Sequence, residues 1–327
     1  MHDTLLNIYR KLNKLPNKVN IEACSLCQLK CRDCYMREYV KQEQQPIIGS
    51  GYLKFKDFKK FTDKHPFIKR IELSLSGEIF LNPELSDIIK YAYEKGVKLT
   101  AFNGVNFNTI SEELLEILVK YNFTGLTISI DGASQQSYSL YRTNGDFNRV
   151  IENIKKLNLL KSKYNSIFPV LVWQYIIFKH NINEIADAVK LAKDLNFAQI
   201  YFKEPWNKEV NMRDLKIPVL IRINTNGEIQ KILNEEHINI CSQLWLSPQI
   251  NWDGRLLGCH CSTHRDLDVN VFKFGLKRAL NSKKMKFMRN VLTGGGNSDD
   301  TIACHRCFMY FNMRDTNSYI NANMFRF

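Results

Sequence analysis

The chain has 327 residues, of which 44% are hydrophobic and 24% charged, with a formal net charge of +13 and nine cysteines. These values fit one large soluble domain plus a smaller one, or two domains. No apolar run approaches the length of a membrane span, and residues 1–18 have charges and polar residues scattered throughout and no apolar signal core. No spanning segment and no secretory signal is therefore expected, and a cytoplasmic setting is, where cysteines favour metal or redox chemistry over disulfides. The positive charge fits a basic surface; no nucleic-acid-binding motif accompanies it, so no nucleic-acid partner is expected.

Short apolar runs and helix-period segments alternate from residue 19 to about residue 202. The predicted strands are Lys18–Ala23, Arg70–Leu75, Lys98–Phe102, Leu126–Ile130, Val170–Phe178 and Gln199–Phe202. Between them, Phe55–Thr62, Pro83–Glu94, Glu112–Lys120, Phe147–Leu160 and Ile182–Leu195 space their apolar residues three and four apart. This repetition predicts βα units around a parallel sheet, with ligands at the C-terminal ends of the strands.

Directly after the first strand stands a C-x3-C-x2-C motif at Cys27, Cys31 and Cys34, with Cys24 just ahead of it. Three thiolates this close suit three irons of a four-iron cluster and leave the fourth iron to an outside ligand. On spacing alone, a structural zinc site and a four-thiolate cluster that adds Cys24 stay open. A zinc ribbon, though, needs a longer insertion between its cysteine pairs. The motif resembles that of the radical S-adenosylmethionine (SAM) superfamily, in which SAM fills the open place.

Further strings follow in the family's order. Ser76-Gly77-Glu78, then Ile79-Phe80-Leu81-Asn82-Pro83-Glu84-Leu85, is similar to the family's GGEPLLNPEL stretch. The resemblance implies that this segment binds SAM's amino group, with Ser76 in place of the first glycine. Asn103-Gly104 resembles the family's TNG turn and places Asn103 toward the ribose or the substrate. Ser129-Ile130-Asp131-Gly132, Tyr138, Arg142 and Phe147–Ile154 resemble the SIDG string and its sequel. By that resemblance Ser129 contacts the SAM ribose and Arg142 pairs with SAM's carboxylate, which a guanidinium fork suits. The fifth strand resembles the segment that packs adenine, which selects Ile176 and Phe178. The family often has an aromatic just before the third cysteine. Here Asp33 stands there and Tyr35 follows Cys34, so Tyr35 is the candidate substitute.

A second cysteine set comprises Cys241, Cys259, Cys261, Cys304 and Cys307. Asn251 to Cys259 reads as a hairpin whose Asp253-Gly254 turn delivers Cys259. The order resembles the C-terminal SPASM and twitch extensions, which bind auxiliary iron–sulfur clusters. A full SPASM domain carries seven cysteines, so a shortened form is implied, with one cluster on Cys241, Cys259, Cys304 and Cys307. A zinc site on the same four thiolates stays open. Cys24 and Cys261 are unassigned; Cys261 is a candidate hydrogen-atom donor to a substrate radical. His260 and His264 read as polar surface.

The expected fold is therefore a partial (β/α)6 TIM-like barrel followed by a small SPASM/twitch-like domain with a hairpin. The division is residues 1–18 as an extension, 19–235 as the barrel and 236–327 as the auxiliary unit. The implied cofactors are two four-iron clusters and SAM. The implied activity is reductive cleavage of SAM to a 5′-deoxyadenosyl radical, which takes hydrogen from a small polar substrate. Only about twenty residues precede the cluster motif, too few for a leader-peptide-binding domain. That favours dehydrogenation of a sugar or cyclitol alcohol over a peptide maturase or epimerase. A non-catalytic metal scaffold is the third reading. An acidic flavodoxin or ferredoxin is the expected electron donor, docking on Lys273, Lys277, Arg278, Lys283, Lys284, Lys286 and Arg289.

Overall fold

The structure is a computed structural model that describes residues 15–34, 47–205, 210–212, 217–224, 226–232, 240–260 and 265–320. Tyr35, Cys261 and His264 lie outside the described residues. No helix among the described residues is long and apolar enough to cross a membrane.

Six strands, β1 (Lys18–Ile21), β2 (Arg70–Glu72), β3 (Lys98–Val105), β4 (Gly125–Ser129), β5 (Val170–Ile176) and β6 (Gln199–Lys203), pair in parallel and in chain order. Helices α1 (Phe55–Lys64), α2 (Leu85–Glu94), α3 (Glu112–Lys120), α4 (Gln135–Tyr141), α5 (Phe147–Lys163) and α6 (Ile185–Asp194) provide the crossovers. The predicted βα repetition is therefore present, but the sheet stays open. An antiparallel pair, β7 (Leu220–Ile223) and β8 (Ile229–Ile232), extends it beyond β6. After α7 (Gln243–Leu246), a hairpin of β9 (Gln249–Ile250) and β10 (Leu256–Gly258) joins the other edge, with β9 parallel to β1. The predicted hairpin thus belongs to the main sheet. Its connection is longer than a two-residue turn: the Asn251 N–H donates to the Arg255 carbonyl, and Gly254 adopts φ +87°. The chain continues through α8 (Val271–Phe274), α9 (Leu276–Ala279), α10 (Lys283–Leu292) and α11 (Phe308–Asp315).

Alternation along the strands separates two faces. Val19, Ile21, Ile71, Leu99, Ala101, Leu126, Ile128, Leu171, Trp173, Tyr175, Ile200 and Phe202 join the buried core against the helices. The opposite face carries Asn20, Glu72, Thr100, Thr127, Ser129, Gln174, Tyr201 and Lys203. Helix starts follow local chemistry. Ser111 accepts from the Leu114 N–H with Glu112 and Glu113 in the first turn, and Asp146 accepts from the Arg149 N–H. Each satisfies an N–H that the helix leaves unpaired, and the acids complement the helix dipole.

Two expectations are revised. Asn103-Gly104 does not end the third strand: β3 runs on to Val105, with a register shift between Ala101 and Val105 and Gly104 at φ +117°. An irregular pairing re-aims the strand without stopping it. The basic segment is also not uniformly free, since Arg289 donates to the Leu244 and Leu280 carbonyls and Lys284 pairs with Asp268.

Trp173 is fully buried in the central β5, its ring 5.3 Å from Phe197 and its indole N–H donating to the Ile130 carbonyl. Trp173→Ala should cost about 3–5 kcal/mol in denaturant unfolding. A loss below 1 kcal/mol would show that this part of the core does not limit stability.

Candidate active site

The cysteine loop leaves β1 and is held from two sides. On the first side, the Glu78 N–H donates to the Leu26 carbonyl at 2.7 Å. A Cβ on Gly77 would lie 2.3 Å from the Cys24 carbonyl oxygen and 2.6 Å from that of Leu26. Only glycine permits that approach. Glu78 is buried; Oε1 accepts from the Phe80 N–H and Oε2 from the Asn106 N–H at 2.6 Å. Burial pushes its carboxyl up to about 7, against the pull of those N–H groups and of Arg142. Asn106 forms a reciprocal amide pair with Gln28 and directs its Nδ2 at Cys27 Sγ, 3.7 Å away.

On the second side, the Lys30 and Arg32 N–H groups donate to the Thr143 and Tyr141 carbonyls. Arg142 places an N–H 3.8 Å from Cys31 Sγ, while its Nε donates to Asp131 Oδ2 at 2.5 Å. Asp131 is fully buried, and its Oδ1 accepts the Ile176 N–H at 2.6 Å. One carboxylate therefore joins the end of β5 to the guanidinium over the loop. A separate apolar cluster unites Leu29, Cys31, Tyr141 and Phe178, with Cys34 and Ile176 packed against it. Phe178 lies between Tyr141 at 4.6 Å and His180 at 5.2 Å.

Gly77, Glu78, Arg142, Ile176 and Phe178 thus border the cysteine loop, whereas Asn103 and Ser129 have their contacts on neighbouring strands. Gly77 and Glu78 seat the loop through backbone contacts and buried hydrogen bonds. The Ser76 N–H, with its side chain, contacts the Glu22 carboxylate, so the serine supplies a partner that glycine lacks. Asn103 uses its amide on the Ser74 carbonyl. Ser129 Oγ accepts from Gln174 Nε2, whose Oε1 accepts from Lys203 Nζ at 2.6 Å. Gly104 leaves room for the buried Ser129 hydroxyl, since a Cβ there would lie 2.7 Å from Ser129 Oγ. Arg142 retains N–H groups beyond its bond to Asp131. Cys24 is buried away from the loop's mouth with its thiol pushed up to about 11 by burial. Asp131, Asn106, Gln28 and Lys203 were not singled out from the sequence. Only Asp131 had a signal there, inside the SIDG string.

The loop suits a three-thiolate cluster. Although Cys27 is exposed, desolvation by the surrounding protein, then the charges of Glu78, Cys31 and Cys34, push its thiol up to about 12, whereas Arg142 acts downward on Cys31. Thiols that raise one another's pKa share one neighbourhood, and a cationic metal reverses that cost. The cradle formed by Gly77, Arg142 and the Ile176–Phe178 cluster borders the same loop. Among the described residues no three His, Cys, Asp or Glu side chains already stand in ligating geometry. In the C-terminal set, Cys259 and Cys304 share the buried core with Cys241 and Cys307 packed against it. The Cys241 N–H donates to Met313 Sδ, and the Cys307 N–H to the Cys304 carbonyl.

Residues 21–192 match the family model described as "Radical SAM superfamily". The chain belongs to the radical SAM superfamily. The matched stretch contains both sides of the loop and the first candidate site apart from Lys203. The chain is 25% identical over 186 residues to an AdoMet-dependent heme synthase of Methanosarcina barkeri, covering 56% of this chain and 49% of that protein. It is 27% identical over 185 residues to the antilisterial bacteriocin subtilosin biosynthesis protein AlbA of Bacillus subtilis, covering 55% and 38%. The chain spans about half or less of these curated relatives. Among solved structures, Streptococcus suis SuiB bound to SAM superposes with TM-score 0.65 at 13% identity, covering 100% of this chain and 78% of SuiB. The anSMEcpe structure with bound AdoMet gives 0.60 at 13% identity, covering 94% of each chain. These likenesses show the fold.

Two outcomes test the site. Cys27→Ala, Cys31→Ala and Cys34→Ala should each abolish the cluster's visible absorption after anaerobic reconstitution, while Cys24→Ala keeps it. Loss of the cluster in Cys24→Ala would establish a four-thiolate site instead. Arg142→Ala should weaken SAM binding by roughly ten- to a hundredfold, as loss of a charge-assisted bond of about 1.5–3 kcal/mol predicts. Equilibrium titration that finds unchanged affinity at unchanged iron content removes Arg142 from the SAM site.

Proposed function

We propose that Cys27, Cys31 and Cys34 hold a four-iron cluster, and that Gly77, Glu78, Ser129, Arg142, Ile176 and Phe178 border the SAM bound to it. When bound, this pair supplies reductive cleavage of SAM to methionine and a 5′-deoxyadenosyl radical. The chain's own residues then do three things. The backbone of Ser76 and Gly77 faces the SAM ammonium, Arg142 orients the carboxylate, and the Tyr141–Phe178 cluster keeps water from one flank. The single observation that carries the reading is the seating of the cysteine loop between Glu78–Asn106 and Tyr141–Thr143. A scaffold without turnover has no need of both.

The substrate lies on the polar face of the open sheet in this proposal. Thr127, Gln174, Tyr201 and Lys203 line that face, and Phe102 on β3 is 45% exposed. Lys203 forms no ion pair among the described residues, and burial lowers its pKa. A polar substrate suits this surface. We favour a peptide, because the open sheet admits an extended chain. In addition, a relative named for bacteriocin biosynthesis and a SuiB structure solved with precursor peptide SuiA share, respectively, sequence and fold with this chain. Dehydrogenation of a sugar or cyclitol alcohol is the second reading, favoured by the hydroxyl- and amide-rich lining. The division at residue 235, an auxiliary cluster on Cys241, Cys259, Cys304 and Cys307, Cys261 as hydrogen donor, Tyr35 beside adenine, an acidic electron donor and a cytoplasmic location complete the proposal.

The test is anaerobic reconstitution with dithionite and SAM. 5′-Deoxyadenosine should form, with about eight irons per chain from two four-iron clusters. The double change Cys304→Ala and Cys307→Ala should halve the iron and leave uncoupled SAM cleavage in place. No 5′-deoxyadenosine from iron-replete protein refutes the enzyme reading; four irons and one zinc refute the auxiliary cluster.

A further inference from the structure

Seven buried side-chain nitrogen or oxygen atoms lack a hydrogen-bond partner among the described residues, and four of them belong to one small array. They are Asn20 Oδ1 and Glu22 Oε1 on β1 and its extension, and Gln249 Oε1 and Asn251 Oδ1 on β9 and its extension. The strands are parallel neighbours in the register Asn20 to Gln249 and Ile21 to Ile250, and the ladder continues with the Glu22 N–H donating to the Ile250 carbonyl at 3.0 Å. All four side chains therefore share the sheet face opposite Ile21 and Ile250, on strands about 4.8 Å apart. Asn20 is 7% exposed and the other three are 0% exposed.

The free atoms are acceptors. Asn251 Nδ2 donates to the Ile48 carbonyl and Asp253 Oδ1, and Gln249 Nε2 to the Ile250 carbonyl. Flipping either amide would set oxygen against oxygen, so these contacts fix which end is free. Glu22 uses Oε2 on the Ser76 N–H at 2.8 Å and forms no ion pair among the described residues; burial pushes its carboxyl up to about 8, against the pull of the Ser76 side chain and of the Ser76, Gly77 and Cys24 N–H groups, so its charge is only partly compensated. Glu22 Oε1 and three buried carbonyl-type oxygens thus share one face without a hydrogen-bond partner among the described residues. A water molecule donates only two hydrogens, so water leaves acceptors or its own oxygen short. A cation satisfies all four together and offsets the carboxylate's charge.

We propose that β1 and β9 hold a monovalent alkali cation, potassium or sodium, on Asn20, Glu22, Gln249 and Asn251. All-oxygen ligands select a hard ion and disfavour zinc, iron or copper. One formal negative charge matches one positive charge, whereas divalent sites recruit more carboxylates or keep a water shell. The ion would pin the C-terminal hairpin to the strand that delivers the cysteine loop. This site adjoins the Ser76–Gly77 segment through the Glu22 contact, but it uses none of the cluster cysteines and stands whether or not the substrate reading does.

The test uses the full chain, in thermal unfolding at equal ionic strength in potassium, sodium or tetramethylammonium chloride. The midpoint should rise by roughly 3 °C, saturably, in the preferred alkali salt over tetramethylammonium. The better of the two alkali salts identifies the ion. Glu22→Gln should lose this salt dependence. Rubidium-soaked wild-type crystals should show anomalous scattering between β1 and β9, a readout that does not depend on the variant folding. Equal midpoints in all three salts, salt dependence kept in Glu22→Gln, or water density without anomalous signal at the array would each overturn the proposal.

Discussion

The approach of Gly77 to the backbone of Cys24–Leu26 is the constraint on which the rest of the site depends. With a Cβ only 2.3 Å from a carbonyl oxygen, no side chain fits there without moving the cysteine loop. That contact aligns the Glu78 N–H with the Leu26 carbonyl and turns the Glu78 side chain inward, where it ties the Phe80 and Asn106 N–H groups together. Asn106 then carries Gln28 and Cys27. The missing methyl group at one position thus couples the end of β2, the bulged end of β3 and the first half of the loop. Burying Glu78 opposes its ionisation, so the arrangement trades charge solvation for position.

The second half of the loop depends on Asp131. A carboxylate at the end of β4 that accepts from both Ile176 and Arg142 fixes a guanidinium beside Cys31 and fixes the strand end that bears Phe178. Both partners are donors, and Arg142 is cationic, so the buried charge is compensated where it lies. The two halves use different chemistry. Backbone contact with a carboxyl cap positions the first, and an ion pair with an apolar cluster positions the second. A ligand placed between them meets acceptors on one side and a cation with aromatic rings on the other. Zwitterionic SAM has complementary groups for each.

Much of this was legible in the sequence, because the information was local. The apolar runs located β1 to β6, and the strings around Gly77 and Arg142 contain residues that contact the cysteine loop. What was not legible depends on contacts distant in sequence. The partner of Arg142 is eleven residues back, in a string whose serine drew attention first. Asn103-Gly104 reads as a turn by dipeptide chemistry, yet pairing with β4 carries the strand through it. The edge strands β7 to β10 are short, and their pairing is set by the strands beside them. Helix α4 is seven residues, and its start is held by Glu184, about fifty residues away, which accepts from Ala133 and Ser134.

The hairpin's place in the sheet bears on how the two cysteine sets communicate. Domains joined only by a flexible linker and a small polar interface are expected to move relative to one another. Here the Asn20 and Glu22 N–H groups bond to the Pro248 and Ile250 carbonyls, and β10, which leads directly into Cys259, pairs with β9. The path from Cys27 through β1, β9 and β10 to Cys259 is therefore a strand ladder. Ladder spacing is set by backbone hydrogen bonds and changes little without breaking them. Cys259 therefore stays at a fixed offset from the start of the cysteine loop, and the auxiliary cluster proposed there would need no closure of one unit on the other. A substrate that enters by the polar face of the sheet, as proposed, would meet the exposed Phe102 and the half-buried Lys203 without any such closure.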